Sequence, residues 1–156
     1  MQEDEVYLKL KGFLTSTGWK IVGGQPPRGT DHFPVIEIKS ESSLQRGSDG
    51  SFKPDLIATQ EDLILLCECK AAFDPSDVAK LHSIMSTYSR IDSLLAELNQ
   101  RSIVIGGTNV IALVAYSGLY KMSDQAIGGI AFVQNEIRCY PATEWSKGVQ
   151  DLFSSS

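Results

Sequence analysis

Between Phe52 and Lys70 the chain reads FKPDLIATQEDLILLCECK, two apolar, strand-forming runs separated only by Glu61-Asp62. Any fold must therefore accommodate a buried hairpin that nonetheless carries Asp55 near its start and Glu68 and Lys70 at its end. With Lys53 to Gln60 and Leu63 to Lys70 paired antiparallel across Glu61-Asp62, Asp55 stands directly opposite Glu68. Lys70, two residues on, shares that face.

In this register two carboxylates have Cβ atoms about 5 Å apart, and two full charges at that range repel by roughly 3 kcal/mol at an effective dielectric of 20. A shared proton or a divalent cation would offset the repulsion, the cation because paired carboxylates and a main-chain carbonyl are hard oxygen ligands. The competing reading leaves Asp55 and Lys70 wetted at the sheet rim, with Glu68 half-buried in an ion pair with Lys70.

The flanking sequence supplies helices and further strands. Val6, Leu8, Leu10, Phe13 and Leu14 predict an amphipathic helix from Glu3 to Thr17, ended by Gly18. Trp19 to Val22 reads as a short extended piece, GGQPPRGT as an irregular loop, Phe33 to Lys39 as a strand and SESSLQRGSDGS as a polar loop. After Lys70, Asp74 is placed to cap a helix with Pro75 in its first turn. The spacing of Val78, Leu81, Met85, Tyr88, Ile91, Leu95 and Leu98 predicts that this helix is long, with one apolar stripe. Ile103 to Ile105, Val110 to Tyr116, Ile130 to Val133 and Ile137 to Tyr140 read as strands, and Thr143 to Phe153 as a closing helix. Gly106-Gly107-Thr108 and Gly128-Gly129 lack the Lys-Ser/Thr of a phosphate loop and read as turns. The result is an α/β arrangement, a central mixed sheet flanked by helices in the order α-β-β-β-α-β.

With 156 residues, 42% of them hydrophobic, the chain has material for one core, so residues 1–153 are expected to form a single domain and residues 154–156 a frayed tail. The longest apolar run, Leu63 to Cys67, falls far short of a membrane span, and the acidic start MQEDEVYLK lacks a signal-peptide apolar region. A soluble cytoplasmic protein is expected, in keeping with three cysteines that form no disulfide framework. Cys67, Cys69, Cys139, His32 and His82 have no zinc-ligand spacing, and the thiols read as buried. The net charge of −5 argues against nonspecific nucleic-acid binding, but residues 1–53 are neutral overall and concentrate half the cations.

Pro54-Asp55 followed by Glu68-Cys69-Lys70, on adjacent strands with a helix directly after, resembles the motif of the PD-(D/E)xK nuclease superfamily, whose fold is restriction-endonuclease-like. The resemblance covers Glu3 to Tyr116 as topology. It implies a Mg²⁺-dependent deoxyribonuclease, with Mn²⁺ able to substitute: Asp55 and Glu68 as metal ligands, the Cys69 carbonyl as a third, and Lys70 positioning or deprotonating the attacking water. Many members add a Glu from the first helix. Glu5 is the candidate with Glu3 behind it, although both also suit a helix N-terminus. The Gln-x-x-x-Tyr signature of the RecB-like exonuclease branch is absent, Ile84 standing four residues before Tyr88.

DNA is the implied partner, and Arg28, His32, Arg46, Lys53 and Lys80 are the residues able to reach it. His82 reads as a flank residue of the helix rather than a DNA contact. Cutting both strands of a duplex needs two sites, hence a homodimer or a partner subunit. The alternatives are a nuclease fold kept only as a nucleic-acid- or protein-binding module, and an unrelated α/β domain with a chance motif.

Overall fold

A computed structural model describes residues 1–25, 33–38, 52–101, 103 and 109–153. Among them six strands form one open mixed sheet in sequence order: β1 (Lys20–Gly24), β2 (Leu56–Gln60), β3 (Leu63–Cys69), β4 (Asn109–Ser117), β5 (Ile127–Val133) and β6 (Glu136–Tyr140). The pairs β1–β2, β2–β3 and β5–β6 are antiparallel; β3–β4 and β4–β5 are parallel. Four helices complete the described chain: α1 (Glu3–Ser16), α2 (Pro75–Met85), α3 (Tyr88–Gln100) and α4 (Lys147–Asp151).

Both faces of the sheet are covered. Along β3, Leu63, Leu65, Cys67 and Cys69 pack with Val6, Leu10 and Leu14 of α1 and with Trp19 and Phe153, whereas Ile64 and Leu66 pack with Leu81, Ile84, Leu94 and Leu98 of α2 and α3. Strands buried on both sides lose the simple apolar-polar alternation, so β3 reads as a continuous apolar run. Each fully buried Leu or Ile contributes about 1.5–3 kcal/mol. Glu68 follows Ile64 and Leu66 in parity and so enters the α2 face.

The hairpin has the expected register, with Leu56 opposite Cys67 and Gln60 opposite Leu63. Its strands are shorter than predicted at the charged end, leaving Asp55 and Lys70 one residue outside them. The turn is tight, and Glu61 takes a left-handed φ of 53°.

Several expectations are corrected. The long helix is two helices: the hydroxyls of Thr87 and Ser86 donate to Ser83 O (2.7 and 3.2 Å), so side chains compete with the helical ladder and the chain turns before α3. Tyr88, placed on the apolar stripe, is 89% exposed. Gly23 and Gly24, assigned to a loop, end β1, and Gly128-Gly129 lies inside β5 instead of forming a turn. A Cβ at Gly128 would run into the Trp145 ring and one at Gly129 into the Met122 sulfur, so these glycines admit neighbours rather than bend the chain. Residues 33–38 form no strand beyond the bridge from Ile38 to Phe52, and the closing helix is confined to Lys147–Asp151, capped by Ser146. The predicted turn at Gly106-Gly107-Thr108, most of the strand at Ile103–Ile105, the loop after Lys39 and the tail 154–156 lie outside the described residues.

Candidate active site

At the open end of the hairpin, each acid's carboxylate accepts a backbone N–H from the opposite strand. Asp55 N donates to Glu68 Oε2 (3.1 Å) and Cys69 N donates to Asp55 Oδ2 (2.8 Å). Both carboxylates are thereby fixed on one face of the sheet, and Glu68 is only 5% exposed. From α2, Lys80 Nζ donates to Glu68 Oε1 (2.9 Å) while lying 5.3 Å from the centre of the Phe52 ring.

A cleft of about 600 Å³ opens over this pair. Its walls include Glu3 of α1, Lys53, Lys70, Lys80 and Ser83 of α2, and Arg90 of α3. Lys70 is set by its main chain, whose N–H donates to Ala115 O at the end of β4 (2.9 Å). No described residue hydrogen-bonds its ammonium. Near it lies Asp77, 3% exposed in the first turn of α2.

The electrostatics follow from burial. Asp55 is pushed up to about 8, first by burial and then by the Glu68 charge, against the Cys69 N–H, which favours its ionised form. Burial also raises Asp77, with Lys70 opposing. For Lys80 burial works downward, but the bond to Glu68 and its charge hold the ammonium above its ordinary value.

Of the residues singled out in the sequence, Asp55, Glu68, Lys70, Lys53 and Lys80 meet in this cleft. Glu5 does not line it. Its Oε1 accepts from Gln2 N (3.2 Å) in a capping box that closes the start of α1, and Glu3 is the α1 acid on the cleft wall. His82 sits on the α2 flank, with Nε2 2.8 Å from Asp124 Oδ2. Arg28, His32 and Arg46 lie outside the described residues. Sequence reasoning missed Ser83 and Arg90. The signal available was Ser86-Thr87, a pair able to interrupt a helix and send the chain beyond it in a new direction.

Among the described residues no group of three or more His, Cys, Asp or Glu side chains is placed to hold a metal ion. The donor set here is two carboxylates with the Cys69 main chain beside them, so a cation would complete its shell with carbonyl and water oxygens, as hard divalent ions do. A buried acid, Glu68, beside a half-buried one, Asp55, raised to about 8, fits such an ion.

Compared with protein-family models, with curated proteins and with solved structures, the chain has no significant match. Among the described residues no helix is long and apolar enough to cross a membrane.

Proposed function

We propose that the chain is a metal-dependent nuclease of the PD-(D/E)xK, restriction-endonuclease-like kind, acting as an endonuclease on DNA. The observation that carries the reading is the convergence of Asp55, Glu68 and Lys70 on one cleft, from two strand ends that an independent register brings together. A chance motif has no reason to gather its three side chains.

In this reading Asp55 and Glu68 hold Mg²⁺ or Mn²⁺ with the Cys69 carbonyl. When bound, the ion supplies Lewis-acid polarisation of the phosphate and a lowered pKa for water. Lys70, without a hydrogen-bond partner among the described residues, orients the attacking water or takes its proton. Lys53 and Lys80 draw the phosphate backbone into the cleft. One such site cuts one strand, so duplex cleavage would engage two copies or a partner subunit.

The Lys80–Glu68 ion pair favours a second reading, in which a lysine permanently neutralises the buried acid and the fold serves only to bind nucleic acid. Calorimetric Mg²⁺ titration with plasmid nicking separates the two. The nuclease reading expects Mg²⁺ binding and nicking by the wild type, loss of both in Asp55→Asn, and loss of nicking alone in Lys70→Ala, each loss being about 100-fold or more. A wild type that binds DNA but neither binds Mg²⁺ or Mn²⁺ nor nicks overturns it in favour of the binding module.

A further inference from the structure

The turn between α2 and α3 decides what stands on one wall of the cleft. In an unbroken helix from Pro75, Arg90 would lie roughly 9 Å beyond Ile84 along the same axis, at 1.5 Å per residue. Instead the Ser86 and Thr87 hydroxyls bond back to Ser83 O, α3 starts in a new direction, and Arg90 in its first turn shares the cleft with Ser83, Asp55 and Glu68. The first turn of a helix favours acids, and α3 has none there. A cation in that place adds positive potential where the cleft already carries Lys53, Lys70 and Lys80.

The chemistry of this wall is specific. Arg offers a planar fork that grips phosphate through two parallel N–H bonds, and a neighbouring hydroxyl adds a further donor. Four cations, against the two acids of the floor and Glu3 on the wall, suit an extended polyanion, with the floor acids serving the reacting phosphate and the cations its neighbours.

We infer that Arg90 and Ser83 form a second phosphate subsite, gripping a phosphodiester next to the one that lies over Asp55 and Glu68. The substrate class is then a nucleic-acid strand of several nucleotides rather than a mononucleotide or an isolated phosphodiester. This inference rests on the nuclease reading and adds a named pair of residues to it.

The test is metal-free binding, followed by the anisotropy of a fluorescein-labelled DNA of about 20 nucleotides, as single strand and as duplex, from about 50 to 200 mM KCl in EDTA. Arg90→Gln is expected to weaken binding about 10-fold and to flatten the dependence of log K on log salt by about one. Ser83→Ala should weaken binding about two- to threefold with the slope unchanged, since it removes a neutral donor. Arg138→Gln removes the same charge from β6, outside the cleft, and should behave as wild type. Thermal melts of each variant confirm that it is folded.

Binding and slope in Arg90→Gln equal to those in Arg138→Gln would overturn the subsite while leaving the nuclease reading intact. A wild type that binds neither form of DNA with any salt dependence would overturn both.

Discussion

Replacing Asp55 by Asn should make the metal-free protein more stable while removing a ligand of the proposed metal site. Folding pushes Asp55 from an ordinary 3.8 to about 8, first through burial and then through the Glu68 carboxylate. At pH 7 the folded chain therefore keeps a proton that the unfolded chain releases, which at 1.36 kcal/mol per unit costs roughly 4 kcal/mol. Water in the open cleft screens part of that, so Asp55→Asn is expected to gain about 2 kcal/mol, a rise in Tm of roughly 4–8 °C. Asn retains an oxygen to accept the Cys69 N–H. The pH dependence has a definite sign. Between about pH 4 and 8 the folded state binds one more proton than the unfolded state, so wild-type stability falls as pH rises through that window and levels off above it. Asp55→Asn lacks this slope, so its advantage widens towards pH 8 and closes below pH 4. Calorimetric melts in EDTA across this range measure the difference. Adding Mg²⁺ should then stabilise the wild type by mass action and leave Asp55→Asn unmoved. A variant no more stable than wild type at pH 7 in EDTA, or a gap that ignores pH, would refute the claim that the two carboxylates oppose each other across the hairpin.

Two further perturbations probe the scaffold. Gly128→Ala drives a Cβ into the Trp145 ring and should cost about 1–3 kcal/mol, whereas Gly12→Ala in α1, with no heavy atom within 4 Å of the new Cβ, should gain about 0.5–1 kcal/mol; thermal melts of the two variants should move in opposite directions. Asp124→Ala removes the acceptor for His82 and for Ala126 N and Ile127 N (3.0 and 2.9 Å), and should cost about 1–2 kcal/mol near neutral pH. Burial pushes the Asp124 carboxyl up, but those hydrogen bonds hold it below 3.8 overall, so its contribution persists above that pH and fades as pH falls further; urea melts at pH 7 and pH 3 read the change.

Local pattern carried the parts of the fold that local physics controls. The hairpin register was legible because two apolar runs meet across two polar residues, and a slip by one would have turned Glu68 into the α1 core. The Asp74 cap was legible for the same reason: its carboxylate needs only the N–H of Ser76, two residues away (2.9 Å). What stayed hidden depended on partners distant in sequence. Gly128 and Gly129 look like a turn until Trp145 and Met122 are seen to fill the space above and below them. The sequence puts Glu5 ahead of Glu3, and only the capping box with Gln2 shows that Glu5 is committed elsewhere. The break at Ser86-Thr87 was written in the sequence but outvoted by an apolar stripe that runs through it, and with it went Ser83 and Arg90. The acids and the lysines of the candidate site were therefore readable, and the Ser83 and Arg90 side of the cleft was not.

Glu68 sits between two thiols. Cys67 and Cys69 flank it on β3 but face the α1 side, fully buried, and burial first, then the neighbouring carboxylates, pushes both well above the ordinary thiol range. A protonated, enclosed thiol does not react with alkylating reagents, so each labels only when the strand opens. The strand that carries the candidate chemistry thus holds its own clock on the reverse face: the labelling rate of Cys67 and Cys69, set against that of the partly exposed Cys139, measures the free energy needed to lift the floor of the cleft out of the sheet.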